Sequence, residues 1–264
     1  MSERRALVTG ASSGIGAATA RLLASEGYRV ALLARRADEL ERVRGSLPRS
    51  DEHLTLVCDL RDGAAIRAAV ARVGEKFGAL DLLVNNAGVG YRACVAELDD
   101  EVTRGLFETN VVALLITCRE ALPLLRKGER PVVVNVSSIL GRRGVPGQAA
   151  YSASKAAVCS ISEALRIEWA SDAIAVCMLE PGLTKTAIFD TQPNPSKLPH
   201  PDFASADTAE SVAKQILALD RHPRPEVSLR AKWHWLGVLN VLAPRLADKL
   251  LVRNMGGGWR APRR

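Results

Sequence analysis

Aromatic side chains make up only 4% of the 264 residues. Ala, Leu, Val and Gly dominate instead, as in tightly packed helices and buried parallel strands. No apolar run reaches the roughly 18 residues of a membrane-spanning helix, so no transmembrane helix is predicted. Cysteine is sparse, odd in number and scattered: Cys58, Cys94, Cys118, Cys159 and Cys177 form no CxxC pair. The four histidines do not cluster with them. Neither a zinc site nor a disulfide framework is supported, and no metal is expected. Buried free thiols in a reducing cytoplasm are the reading of that pattern. The first apolar strand begins at Ala6 and runs straight into a Gly-rich turn, so no signal peptide is expected.

Acidic residues are missing from one end. From Arg221 to Arg264 there are ten Lys/Arg and two Asp/Glu, a local +8. The chain as a whole carries +7, so Met1–Asp220 is close to neutral at −1. The basicity belongs to a tail and does not make the main body a polyanion binder.

What the sequence has is alternation. Short apolar runs predict strands at Ala6–Thr9, Tyr28–Ala34, Leu54–Cys58, Leu80–Val84, Val132–Val136, Ile174–Leu179 and, more weakly, Glu226–Leu229. Helix-length segments lie between them, among them Ile15–Ser25, Ala37–Gly45, Ala64–Phe77 and Ala149–Ala170. Asp62 has the position of an N-cap, and Gly27, Gly45 and Gly78 those of helix stops. Strands that alternate with helices and are apolar throughout predict an α/β fold, a Rossmann-type doubly wound parallel sheet in a single domain over residues 1–230. A C-terminal amphipathic helical tail follows over 231–264. Residues 187–207, with Pro193, Pro195, Pro199 and Pro201, interrupt the alternation. Inside a compact domain such a stretch is read as a substrate lid rather than a linker.

The first strand leads into Thr9-Gly10-Ala-Ser12-Ser13-Gly14-Ile15-Gly16 and then a helix. Glycines there permit a tight turn and let backbone approach a pyrophosphate, whose charge the helix N-terminus favours. At the end of the second strand an acidic residue would bind the adenosine ribose of NAD. Here Ala34 stands in that place, followed by Arg35 and Arg36. A forked guanidinium suits a 2′-phosphate. Two solvated arginines at a helix start would be the plain alternative, but positive charge is unfavourable there. NADP(H) is therefore expected over NAD(H).

These motifs, with Asp59-Leu60 after the third strand, Asn85-Asn86-Ala87-Gly88, Asn110, Ser138, the Tyr151–Lys155 stretch YSASK and Pro181-Gly182-Leu-Thr184-Lys-Thr186, resemble the short-chain dehydrogenase/reductase family. The resemblance covers about residues 4–230, with the unlinked motifs in order. It implies an oxidoreductase that moves a hydride between the nicotinamide and a carbonyl or secondary alcohol. Asp59 is implied to contact the adenine, Asn86 to line the adenosine side, and Thr186 to hold the nicotinamide carboxamide. Assembly as a homodimer or homotetramer is also implied.

Tyr151 and Lys155, four residues apart, share a face of a helix. Such a pair is usually an ordinary surface neighbour, but carbonyl reduction needs a proton donor within hydrogen-bond reach. Lowering a tyrosine from about 10 to neutrality takes roughly 4 kcal/mol, about what a lysine ~4 Å away supplies at an effective dielectric of about 20. The resemblance adds Ser138 as hydrogen-bond donor to the substrate oxygen. It gives Lys155 the ribose hydroxyls and Asn110 a water that links Lys155 to solvent.

The pocket is expected from Leu140–Gln148, Val89–Cys94 and the lid, with an apolar substrate. Trp233, Trp235 and Trp259 lie in the tail, where Leu236, Leu239, Leu242, Leu246 and Leu250 recur at helical spacing beside Arg245, Lys249 and Arg253. Pro244 should kink or divide it. Peripheral contact with a membrane and packing over the pocket or another subunit both stay open. A catalytically silent NADP-binding regulator is the rival class, opposed by the complete tetrad. No nucleic-acid recognition motif exists.

Overall fold

The computed structural model describes residues 3–255. Its seven strands are β1 (Arg5–Thr9), β2 (Arg29–Ala34), β3 (Leu54–Val57), β4 (Leu82–Asn85), β5 (Val132–Val136), β6 (Ala175–Glu180) and β7 (Glu226–Ser228). They form one sheet in the order β3-β2-β1-β4-β5-β6-β7, every neighbouring pair parallel. The chain starts at the centre and winds outward to one edge, then returns to build the other half. That reversal puts β1 beside β4 and opens a crevice at their carboxyl ends.

Helices cover both faces, because the inner strands are apolar and buried on both sides. On one face α1 (Gly14–Ser25), α2 (Ala37–Gly45) and α8 (Ala209–Arg221) place Leu23, Leu40, Val212 and Ile216 against Val8, Val30 and Leu32. On the other, α3 (Gly63–Phe77), α5 (Ala113–Leu125) and α6 (Ala149–Glu168) bring Ile66, Val73, Leu125 and Val158 onto Leu7, Leu33, Leu83 and Val133. Each such side chain, fully buried, contributes roughly 1.5–3 kcal/mol.

Asp62 caps α3, its carboxylate accepting from the N–H groups of Ala64 and Ala65. Gly78 ends the same helix at φ 75°. The second helix ends at Gly45 as expected, with Ser46 as its cap. The fourth strand starts two residues later than the apolar run suggested, because Asp81 is spent on other bonds. Its buried carboxylate accepts from the Arg5 backbone and guanidinium and from the Glu129 N–H. Beyond it, Asn85 Nδ2 donates to Asn135 Oδ1 (2.8 Å), and Asn135 Nδ2 to Ser162 Oγ (3.0 Å), a polar ladder that ties β4, β5 and α6 together.

Between α4 (Asp100–Phe107) and α5 the helix widens into a π turn over Glu108–Val112, which carries Asn110. The short α7 (Ile188–Thr191) lies inside the Pro-rich segment. At the C-terminus Pro244 divides the helical stretch into α9 (Ala231–Leu242) and α10 (Pro244–Met255). The leucine stripe is not one buried face. Ala247 and Leu251 are buried, whereas Trp235, Val241, Leu242 and Leu246 are exposed. Arg143 fastens the two helices to the 141–148 loop through Asn240 Oδ1 (2.5 Å) and an ion pair with Asp248. Trp259 and the side chain of Trp233 lie outside the described residues. No helix of the described chain is long and apolar enough to cross a membrane. Cys58, Cys118, Cys159 and Cys177 are buried free thiols as expected, while Cys94 is half-exposed.

Candidate active site

The turn after β1 is built by close backbone packing. Gly10 has φ 69°, and a Cβ there would stand 2.9 Å from Ala87 Cα. A Cβ on Gly16 would fall 2.3 Å from the Gly10 carbonyl oxygen. Thr9 joins this turn to the loop after β4, its hydroxyl accepting from the N–H groups of Asn86 and Ala87 (both 3.0 Å). Asn86 Nδ2 donates to the Thr9 carbonyl (2.9 Å), so Asn86 holds the two loops together from behind as well as lining the cavity. Gly16 lines no cavity; its part is to let α1 approach the strand.

In front of these loops lies a cavity of about 480 Å³. Its walls include Gly10, Ser12, Ser13, Gly14, Ile15, Arg35, Arg36, Asp59, Leu60, Asn86, Ala87, Gly88 and Thr186, all of them expected cofactor residues. The α1 N-terminus has no side-chain cap, since Ser13 makes no capping bond. Its first N–H groups therefore point at the cavity with nothing of the chain's own to satisfy them, a cradle suited to a pyrophosphate. Ala34 closes β2 with no carboxylate. Arg35 and Arg36 are exposed beside it, and Arg36 Nη2 reaches Ser12 Oγ (3.2 Å) and Ser13 Oγ (2.9 Å). The Asp59 carboxylate is already taken by the Arg61 guanidinium at 2.7 Å, which holds it down at about 2. Only its remaining lone pairs are open to an adenine. Taken together, small residues, an open helix start and a basic rim fit a dinucleotide.

A second cavity of about 330 Å³ adjoins the first, sharing Ile15, Gly88, Thr186 and Gln192. Ser138, Tyr151, Lys155, Pro181, Gly182 and Thr184 open into this one. The Ser138 hydroxyl stands beside the Tyr151 phenol and lowers its proton affinity. The hydroxyl accepts from the Leu140 N–H at 3.2 Å, which fixes its rotamer at the end of β5. Lys155 is buried, with Nζ donating to the Val136 carbonyl at 3.0 Å. Asn110 lines neither cavity. Its Oδ1 accepts from the Val89 N–H (2.8 Å), and its Nδ2 donates to the Val89 carbonyl and to Ser154 Oγ. Ser154 in turn donates to the Tyr151 carbonyl (2.7 Å), so Asn110 anchors the Tyr151 turn of α6. With both amide hydrogens committed, that side chain has only Oδ1 left for a relay water.

The electrostatics differ from the simple Tyr–Lys pair. Burial pushes the Tyr151 phenol up to about 12, opposed by the neighbouring Ser138 hydroxyl. Burial also pulls Lys155 down to about 8. Desolvation dominates both groups in this geometry, and each is driven toward its neutral form. At neutral pH the phenol keeps its proton, the form needed to protonate a carbonyl oxygen.

The Pro-rich segment roofs the second cavity with Ile188, Phe189, Gln192 and Pro201. It is held to the 89–97 loop by bonds from Arg92 N–H to the Pro193 carbonyl (3.0 Å) and from Cys94 N–H to Ser196 Oγ (2.8 Å). Apolar walls come from Ile139, Leu140, Val145 and Leu183, but the cavity is not wholly apolar: Arg92, Gln148 and Gln192 open into it. The sequence reading included Arg92 in a pocket segment without marking its charge. Gln192 had no sequence signal beyond its place in the lid.

Comparison with known proteins fits this arrangement. Residues 4–196 match the short chain dehydrogenase family. An uncharacterized oxidoreductase of Mycobacterium tuberculosis is 34% identical over 257 residues, 94% of this chain and 98% of that protein. The 3-ketodihydrosphingosine reductase of Bacteroides thetaiotaomicron is 34% identical over 219 residues, 83% of this chain and 76% of that one. An alcohol dehydrogenase from the archaeon Thermococcus sibiricus, complexed with 5-hydroxy-NADP, superposes with a TM-score of 0.78 at 26% identity, covering 88% of this chain and 98% of that one. For the 3-ketoacyl-(acyl-carrier-protein) reductase from Brucella melitensis, complexed with NADH, the TM-score is 0.77 at 29% identity, covering 86% and 96%. The chain belongs to the short-chain dehydrogenase/reductase family of oxidoreductases.

Proposed function

We propose that this protein is an NADP(H)-dependent oxidoreductase acting between a carbonyl and a secondary alcohol, with Tyr151 as acid/base. One observation carries the reading: Ser138, Tyr151 and Lys155 open into a cavity that shares walls with the one lined by the Gly-rich turn, Arg35 and Arg36. When bound, the reduced nicotinamide supplies the hydride. Gly10–Gly16 and the α1 N-terminus would hold the pyrophosphate, Arg35 and Arg36 the 2′-phosphate, and Thr186 with Pro181–Thr184 the nicotinamide end.

Ser138 donates a hydrogen bond to the substrate oxygen and orients it toward Tyr151. Tyr151 delivers its proton to that oxygen, being protonated at neutral pH. Lys155 stabilises the phenolate that is left behind and binds the ribose. Val136 keeps the ammonium in the cavity floor until then. Asn110 positions the Tyr151 turn through Ser154. The 187–207 segment acts as lid, and the tail, fastened through Arg143, braces the pocket loop rather than lying on a membrane. Residues 1–230 form the catalytic unit and 231–264 the brace.

The test is a panel of ketones and alcohols followed by NADPH and NADH absorbance, with Tyr151→Phe as control. Turnover that falls about 10²- to 10⁴-fold in the variant, with unchanged cofactor affinity, supports the reading. More than a tenth of wild-type activity in that variant removes Tyr151 from its role.

A further inference from the structure

One charged group in the second cavity has no part in the proton transfer. Arg92 is only 8% exposed and lines the same cavity as Tyr151 and Ser138. Its Nη1 donates to the Leu198 carbonyl (3.3 Å) and its Nη2 to the Pro199 carbonyl (2.6 Å). Both partners are neutral. Among the described residues no carboxylate stands within ion-pair reach of this guanidinium, and burial lowers its proton affinity without any opposing charge.

The surroundings sharpen the anomaly. The residues lining this cavity include no Asp or Glu but a second cation, Lys155. A buried charge that faces only neutral dipoles is costly unless an anion completes it. Tethering the lid does not require that cost, because an uncharged amide could donate to the same two carbonyls. A guanidinium has five N–H donors in a planar fork, and two are committed here. The rest suit a carboxylate. The pyrophosphate cradle cannot be its partner, since Arg92 does not line that neighbouring cavity.

We propose that Arg92 receives a carboxylate on the substrate, so that the preferred compounds are keto acids or hydroxy acids with an otherwise apolar body. This deepens the reading of the cavity as the site of carbonyl reduction and rests on it. The apolar wall of Ile139, Leu140, Val145 and Phe189 takes the body, Ser138 and Tyr151 the reacting oxygen, and Arg92 the acid end. The lid is then completed by substrate: the same guanidinium that holds the Leu198 and Pro199 carbonyls is neutralised from inside.

The experiment compares 4-acetylbenzoate with its methyl ester, using the full chain with NADPH and with NADH. Binding of benzoate and benzamide is measured in parallel by calorimetry. Wild type should favour the acid by roughly ten- to a hundredfold in kcat/KM, the worth of a charge-assisted contact. Arg92→Gln, which keeps donors for the lid carbonyls, should lose at least tenfold more on the acid than on the ester. Arg92→Lys should fall between. Equal losses on acid and ester would make Arg92 a lid tether only and overturn the proposal, as would the absence of an acid preference in wild type. If neither ketone is reduced, the carbonyl-reduction reading is what fails. Benzoate that binds no better than benzamide would then overturn the Arg92 proposal by itself.

Discussion

The Lys155 ammonium stands 5.9 Å from the centroid of the Tyr151 ring and donates to the Val136 carbonyl rather than to the phenol. Two groups one helical turn apart therefore line the same cavity without sharing a hydrogen bond. What that environment does to the lysine is measurable.

Burial holds Lys155 at about 8, below the ordinary lysine value of 10.5. The unfolded chain then binds more protons than the native one between these values, so this residue makes stability rise with pH across that window. Below pH 8 its buried charge costs about 3 kcal/mol. Wild type should accordingly gain on Lys155→Met by about 1.4 kcal/mol per pH unit between pH 8 and 10, read from denaturant melts of both proteins. Parallel stability curves would mean that the ammonium is hydrated.

Cofactor choice follows from the end of β2. With Ala34 in place of a carboxylate and Arg35 exposed beside it, wild type should bind NADPH at least about tenfold tighter than NADH, the value of one charge-assisted contact. Ala34→Asp combined with Arg35→Leu should reverse the order, adding repulsion as well as removing attraction. Calorimetric titration of both cofactors decides it. Equal affinities in wild type would leave the arginines as solvated bystanders.

Gly16 should tolerate nothing larger. A methyl group there meets the Gly10 carbonyl oxygen at 2.3 Å and Asn86 Nδ2 at 2.7 Å, both part of the cradle. Gly16→Ala should cost roughly 1–3 kcal/mol in stability and weaken both cofactors together. A variant that melts and binds like wild type would show that α1 can shift away from the strand at little cost.

Much of this was legible in the residue order. Periodicity alone gave the strand–helix alternation, spacing brought out the Gly-rich turn and the Tyr151–Lys155 pair, and the family resemblance added Ser138. Local signals worked where the cause is local, as at Asp62 and Gly78. They failed at Leu80–Asp81, where a buried carboxylate shared by β1 and the turn before β5 delays the strand. The burial around Tyr151 and Lys155 was not legible, because a helical spacing fixes neighbours but not their hydration. Asn86 and Asn110 were placed near the site, but which atoms their amides engage depends on loops distant in sequence. Arg92 is the clearest case: its charge was visible, its isolation from any acid was not.

Three of the bonds that hold the Pro-rich segment to the pocket wall end on its main-chain carbonyls, at Pro193, Leu198 and Pro199, and one ends on the Ser196 hydroxyl. Any residue at the first three places offers the same carbonyl. Phe189, Gln192 and Pro201 can therefore be exchanged during divergence while these bonds persist. The fit of the roof to an apolar body is thereby heritable separately from the bonds that hold it in place, whereas a change at Arg92 would touch both.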